Sequence, residues 1–148
     1  MEVEGDPAGL AAQMPRQETD RRRTPRPQVI VVAEDADALR ELWEIWLSHH
    51  GFEVIAATTG AEALTVATEH HPVAVIMDWA MPVMDGLEAT RRLKQDPRTA
   101  DVPVVMVTAH TSTLNQRAAE SAGCAAFVRK PVDPYQLMAE LRRILAGV

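Results

Sequence analysis

The stretch VIMDWAMPVMDG at residues 75–86 joins an apolar run to one carboxylate, a turn and a glycine. The apolar run, short and rich in β-branched residues, predicts a buried strand that ends at Asp78. Pro82 marks the turn, and Gly86 opens a helical pattern. An acid at the tip of a buried strand points to a polar site at the edge of a sheet, so the strand neighbours of this segment decide what the acid can do.

The composition indicates one globular domain preceded by a different segment. The chain has 148 residues, a formal charge of −6, 47% apolar residues and one cysteine. This charge argues against a nucleic-acid-binding surface, and one cysteine cannot form an internal disulfide. Nothing resembles a secretory signal or a membrane span, so we expect a cytoplasmic protein.

Residues 1–27 contain four prolines, five arginines and no aromatic residue. Such a segment buries too little apolar surface to offset the entropy of ordering, which predicts a disordered tail. Its arginine-rich part, RRRTPR at 21–26, is interpreted as a solvated linker, with docking to an anionic partner as the alternative. We expect the tail to be dispensable for the chemistry of the domain.

From Gln28 onward, strand-like and helix-like segments alternate five times. The predicted strands are 28–33, 52–57, 72–77, 103–109 and 125–129, and the predicted helices are 36–51, 60–71, 86–96, 112–123 and 133–147. Strands this apolar need cover on both faces, which predicts an α/β fold with a doubly wound parallel sheet. We expect five strands in the flavodoxin-like order 2-1-3-4-5 and five helices, in a domain at 28–148.

Polar side chains lie at the carboxyl ends of four of the predicted strands. They are Glu34 and Asp35 after the first, Asp78 after the third, Thr108 in the fourth and Lys130 after the fifth. The carboxyl ends of parallel strands share one edge, so these groups should meet there. Three carboxylates repel one another unless they share a cation, and an all-oxygen cluster suits Mg²⁺, with Mn²⁺ as an alternative.

A carboxylate in this setting can also act as a nucleophile. Attack by Asp78 on phosphorus would give an aspartyl phosphate. The metal and Lys130 would neutralise charge on the phosphoryl group in transfer. Thr108 could donate a hydrogen bond to the product.

These residues together resemble the receiver domains of two-component response regulators, of the single-domain, CheY-like kind. The resemblance rests on ED at 34–35, DWAMPVMDG at 78–86, TA at 108–109 and KP at 130–131, within residues 28–147. It implies that Asp78 accepts a phosphoryl group from a sensor histidine kinase or a histidine phosphotransfer protein. It further implies that Asp35 and Asp78 bind Mg²⁺ directly, Glu34 through water, and the backbone carbonyl of Ala80 as another ligand.

The resemblance also implies a switch. Thr108 would move towards the phosphoryl oxygens, Lys130 would pair with them, and Phe127 would rotate inward to change the face formed by the fourth helix and fifth strand. The bond between Lys130 and Pro131 is implied to be cis. Packing in the core is the other reading of Phe127, and the two are compatible.

Two residues at the same edge should set the lifetime of the phosphoryl group. They are Ala80, two positions after Asp78, and His110, two positions after Thr108. Ala80 can neither orient nor block the hydrolytic water, whereas His110 could hydrogen-bond it. We expect hydrolysis of intermediate speed.

Some neighbouring residues have simpler interpretations. Asp37 and Asp85 are expected to cap the helices that follow them. Trp79 should lie over the site, and Cys124 should be a small buried residue.

Three functions compete for this pattern. Haloacid-dehalogenase phosphatases share the strand-end nucleophile but place a second Asp where this chain has Ala80, which favours a slow switch over an enzyme. A receiver-like module that signals without phosphorylation would usually lose one of the acids, the threonine or the lysine of the site, and this chain keeps all of them. A phosphorelay intermediate that passes the phosphoryl group onward is the third possibility.

The partners follow from the same reading. Because the chain ends at Val148, directly after the last predicted helix, we expect a stand-alone receiver without a DNA-binding domain or membrane anchor, which signals to an unknown downstream protein. The segment CAAF at 124–127 lacks the paired acids with which some DNA-binding receivers dimerise. We therefore expect a monomer or a weak dimer.

Overall fold

The computed structural model describes residues 27–147. Its five parallel strands are β1 (Gln28–Ala33), β2 (Phe52–Ala57), β3 (Ala74–Asp78), β4 (Val104–Thr108) and β5 (Ala126–Arg129). They form one sheet in the order β2-β1-β3-β4-β5, so the predicted fold class and strand order are confirmed. The predicted tail lies outside the described residues, apart from Pro27.

Five helices connect and follow the strands. They are α1 (Asp37–His49), α2 (Gly60–His70), α3 (Gly86–Gln95), α4 (Thr113–Ala122) and α5 (Pro134–Ala146). Within residues 27–147, none of the helices has the length and apolar character needed to span a bilayer. The alternation predicted from the sequence is therefore present from one end of the described chain to the other.

The sheet is covered on both faces. One face carries α1 and α5, with Leu47 and Leu137 fully buried in its core, and the other carries α2 and α3, with Leu93 fully buried. Burial of one such leucine side chain contributes roughly 1.5–3 kcal/mol relative to exposure. These two cores fix the strands and hence the positions of the strand ends.

The observed boundaries agree with the sequence prediction to within two residues, and the third strand differs at both ends. The third strand begins at Ala74 instead of residue 72, because His71 adopts a left-handed conformation (φ +45°) at the end of α2 and Pro72 cannot donate a ladder hydrogen bond. The strand also includes Asp78, which the prediction placed just beyond it.

The two expected helix caps had different outcomes. Asp85 caps α3 as predicted, since its carboxylate accepts a hydrogen bond from the Glu88 amide at 2.9 Å. The prediction for Asp37 was wrong, because Ala36 is the N-cap of α1 and Asp37 is already helical. The Asp37 carboxylate instead accepts a hydrogen bond from the Arg40 guanidinium at 2.7 Å.

The start of α3 lies directly against the backbone of Asp78. A β-carbon on Gly86 would be 2.3 Å from the Asp78 carbonyl oxygen, so only glycine allows this approach. The Gly86 amide donates a hydrogen bond to the Trp79 carbonyl at 2.8 Å. Residues 79–85 therefore form a loop that leaves from Asp78 and returns to it.

Candidate functional site

The structure brings the three predicted acids together. Ala33 and Met77 are register partners on β1 and β3, so Glu34 and Asp35 leave one strand beside the place where Asp78 ends the other. Each of the three acids offers a carboxylate oxygen, and these oxygens lie within 4.8 Å of one another. Glu34 and Asp78 are buried, whereas Asp35 is exposed.

Lys130 supplies the positive charge at this cluster. Its Nζ lies 3.2 Å from Glu34 Oε1 and 3.2 Å from Asp78 Oδ1. Burial lowers the pKa of the Lys130 ammonium, but the charges of Asp78 and Glu34 outweigh burial and leave that pKa raised. Lys130 is therefore held as a cation against the two buried acids.

Glu34 is the acid whose ionisation the surroundings oppose. Burial raises its pKa, a hydrogen bond from the Ala36 amide lowers it, and the negative charge of Asp78 raises it again, with a net increase. Burial, with the charge of Asp78 added, thus outweighs the favourable contacts that Glu34 makes with the Ala36 amide and Lys130. A second cation at this place would relieve the repulsion.

Thr108 lies beside Asp78 at the end of the next strand. It is buried, and its Oγ1 accepts a hydrogen bond from the backbone amide of His110 at 3.0 Å. That contact uses the hydroxyl oxygen as an acceptor, so the O–H remains able to donate. The amide of Lys130 donates to the Thr108 carbonyl at 2.8 Å, which ties the lysine to the same strand end.

The predicted lifetime residues both lie on the surface of this edge. Ala80 and His110 are exposed. The structure shows the backbone of His110 in contact with Thr108, whereas its imidazole role stays a prediction.

Phe127 and Trp79 form an aromatic pair that the sequence did not reveal. Their ring centroids are 6.3 Å apart at an interplanar angle of 84°, an edge-to-face arrangement. Both side chains are half-buried, and both pack against the core that contains α2 and α3. This contact therefore connects Trp79, the residue next to Asp78, with the predicted switch residue Phe127.

The Lys130–Pro131 peptide bond is cis.

The loop after Asp78 contains a second feature that sequence reasoning missed. Val83 has φ +71°, and the Met84 amide donates to the Pro82 carbonyl at 2.7 Å, which defines a γ-turn centred on Val83. A β-branched residue in this conformation costs on the order of 1–3 kcal/mol. Nothing in the local sequence signals it, because glycine or asparagine is the usual residue at a positive φ.

An apolar groove adjoins the site on the α1 side. Its cavity of about 550 Å³ is lined by Leu39, Leu42, Trp43, Trp46, Pro131 and Val132, and Lys130 contributes to its wall. The α1 residues of this groove recur at helical spacing in the sequence. Their arrangement opposite the segment after β5 depends on tertiary structure.

Cys124 lies outside this chemistry. Burial raises the pKa of its thiol to about 11, and the side chain is half-buried. Because the thiolate is the reactive form, iodoacetamide at pH 8 should alkylate native Cys124 about a hundredfold more slowly than an exposed thiol. Mass spectrometry of timed samples measures this rate, with the urea-unfolded chain as the control. Fast alkylation of the native chain would show that the thiol is ionised and accessible.

The donor set fits a hard divalent cation. The cluster offers carboxylate oxygens only, and within residues 27–147 no hydrogen bond is made to the Ala80 carbonyl, which leaves it free to act as a ligand. Nitrogen or sulfur ligands, which would favour zinc, do not belong to this described cluster. The residues present therefore fit Mg²⁺.

Comparison with known proteins gives a consistent result. The sequence model of the family described as "Response regulator receiver domain" matches residues 30–142. The polar-differentiation response regulator DivK of Brucella ovis is 31% identical over 116 residues, which cover 78% of this chain and 94% of that protein. The phosphate regulon transcriptional regulatory protein PhoB of Pseudomonas aeruginosa is 30% identical over 118 residues. That match covers 80% of this chain, which spans about half (52%) of the length of PhoB.

A solved structure agrees with the fold. The receiver domain of the sensor histidine kinase PA1611 from Pseudomonas aeruginosa PAO1 superposes with a TM-score of 0.75 at 27% identity. The match covers 81% of this chain and 98% of that one. That structure holds a magnesium ion in its active site cleft.

Proposed function

The chain belongs to the response regulator receiver domain family of two-component signalling, and on this premise we propose that Asp78 accepts a phosphoryl group with the help of Mg²⁺. Receiver domains are phosphoacceptor switches. The observation that carries the assignment to Asp78 is its position: it is the buried acid that ends the middle strand, with Lys130 Nζ at 3.2 Å and two further acids beside it.

The chemistry is a transfer between two nucleophiles. An oxygen of the Asp78 carboxylate forms a bond to phosphorus while the bond from phosphorus to a histidine nitrogen of the donor breaks, and that nitrogen keeps the electron pair. Lys130 neutralises negative charge on the phosphoryl oxygens. The Thr108 hydroxyl donates to one of these oxygens once the aspartyl phosphate has formed.

The site residues that would hold Mg²⁺ are Asp35, Asp78 and the Ala80 carbonyl, with Glu34 acting through water. When bound, the ion supplies charge neutralisation for a phosphoryl group that approaches three acids. The supporting observations are the three carboxylates within 4.8 Å of one another and the pKa of Glu34, which burial and the charge of Asp78 raise despite the nearby lysine.

The partners in this proposal are a sensor histidine kinase or a histidine phosphotransfer protein as donor and a downstream protein as receiver of the signal. The pair of Phe127 and Trp79 supports a route from the site to β5, since it joins the neighbour of Asp78 to that strand. Ala80 supports slow hydrolysis, because its methyl group cannot act as the general acid of a phosphatase.

Acetyl phosphate tests the proposed function without a partner protein. In the presence of Mg²⁺ the intact chain should gain the mass of one phosphoryl group, and excess EDTA should prevent the gain. Equal gains with and without the metal would contradict the role of Mg²⁺. No gain under either condition would contradict the function itself.

We expect Mg²⁺ to change the fluorescence of Trp79, which follows Asp78 directly. Replacing Asp35 with alanine removes an exposed carboxylate from the cluster and should weaken Mg²⁺ binding by at least about tenfold. A fluorescence titration measures the affinity, and Trp79→Phe should remove most of the signal.

Asp37 provides the matched control for this titration. It is an exposed acid two residues further on, and it pairs with Arg40 outside the cluster. Asp37→Ala should bind Mg²⁺ like the original chain. Equal affinities for Asp35→Ala and the original chain would place the metal elsewhere.

A further inference from the structure

The loop between Asp78 and α3 is held at both ends and open at its tip. The Gly86 amide bonds to the Trp79 carbonyl at 2.8 Å, and the Gly60 amide bonds to the Met84 carbonyl at 3.0 Å. Met84 packs against the core, while Val83 at the tip is 89% exposed. The loop is therefore a fixed platform that presents one apolar side chain to the solvent.

Val83 is an unfavourable residue for this conformation. The γ-turn needs a positive φ, which glycine adopts freely and a β-branched side chain adopts at a cost. An 89% exposed side chain gains almost nothing from packing within its own chain. Packing within the described residues does not offset this cost, and contact with another molecule would.

We propose that Val83 is a recognition residue for the protein that donates the phosphoryl group. The partner is a kinase or phosphotransfer protein that presents a phosphohistidine beside an apolar side chain. This inference rests on the proposed function of Asp78. It adds a residue that selects the donor and takes no part in the chemistry.

The position of the loop singles out this partner. A donor must bring its phosphohistidine to Asp78, and the loop begins and ends at the backbone of that residue. A donor surface broader than the histidine itself would then meet the loop tip during transfer. An apolar donor side chain that meets Val83 removes both groups from water, which favours the complex.

A small phosphodonor makes no such contact, and this difference gives the test. Phosphorylation of Val83→Gly and Val83→Ile is compared with that of the original chain, using acetyl phosphate and an autophosphorylated histidine kinase core that phosphorylates the original chain. With the kinase, Val83→Gly should be slower by about tenfold or more, as expected on loss of one central apolar contact. With acetyl phosphate it should stay within about twofold. Val83→Ile keeps the apolar contact and should retain the rate with both donors.

His71→Gly is the matched control. His71 is the other non-glycine residue with a positive φ among the described residues, and it lies at the end of α2, three residues before β3 begins and thus away from the end of that strand that carries Asp78. Both glycine variants relieve backbone strain and should raise the melting temperature. Only Val83→Gly should lose transfer from the kinase.

Three results would overturn the proposal. The first is an unchanged kinase rate in Val83→Gly, and the second is an equal loss with acetyl phosphate, which would assign the residue to the chemistry. The third is the same loss in His71→Gly, which would assign the effect to stability. Failure of the original chain to react with acetyl phosphate would instead contradict the proposed function, so the two failures are distinguishable.

Discussion

Asp78→Asn is expected to abolish phosphorylation by acetyl phosphate, with a rate lower by more than about a hundredfold. The amide keeps the shape of the carboxylate but cannot form an acyl phosphate. The fold should persist, because removal of one buried charge also removes the repulsion that Asp78 exerts on Glu34. Intact mass measured over time gives the rate, and thermal unfolding gives the stability.

Asp85→Asn is the control for this variant. Asp85 lies in the same loop and caps α3, and asparagine caps helices as well as aspartate does. This variant should be phosphorylated like the original chain. Persistent phosphorylation of Asp78→Asn would show that another acid, such as the exposed Asp35, is the acceptor.

Lys130→Met is expected to slow phosphorylation by roughly 10²–10³-fold, the usual loss when one group that stabilises developing charge is removed. The ammonium lies 3.2 Å from the Asp78 carboxylate. At this distance it can pair with the negative charge that develops on the phosphoryl oxygens during transfer. Methionine keeps most of the side-chain volume and removes the charge. The measurement is the rate with acetyl phosphate at saturating Mg²⁺.

Lys94→Met is the matched control, since Lys94 is the only other lysine in the chain. Its Nζ donates to the carbonyls of Ala100 and Val102, so its loss affects stability and leaves the site intact. Because Lys130→Met leaves Glu34 and Asp78 without a cation, its melting temperature without metal should fall as well. Equal phosphorylation rates in the two lysine variants would show that Lys130 only stabilises the fold.

Much of the fold could be predicted because the sequence pattern is regular. Short β-branched runs alternate with segments of helical spacing, and strands as apolar as these must be covered on both faces of the sheet. The strand ends were predictable for the same reason, since Glu34 and Asp78 are the polar residues at which apolar runs stop, and Lys130 directly follows the last predicted strand. Parallel strands then bring these residues to one edge.

Other features depend on tertiary contacts and could not be predicted. Asp37 is of a residue type that often caps helices, yet Ala36 occupies the cap position, and the Asp37 carboxylate accepts a hydrogen bond from Arg40 instead. The positive φ of Val83 is imposed by a loop held at both ends, against the preference of the residue itself. The pairing of Phe127 with Trp79 joins residues 48 positions apart in the numbering, which no local pattern reports.

The most direct test of the central claim is to locate the phosphoryl group. Borohydride reduces an aspartyl phosphate to homoserine, which marks the modified residue permanently. The chain is treated with acetyl phosphate and Mg²⁺, reduced, digested and analysed by tandem mass spectrometry. Homoserine at position 78 is the predicted result, and a modification at Glu34, Asp35 or any other residue in place of Asp78 would contradict the account.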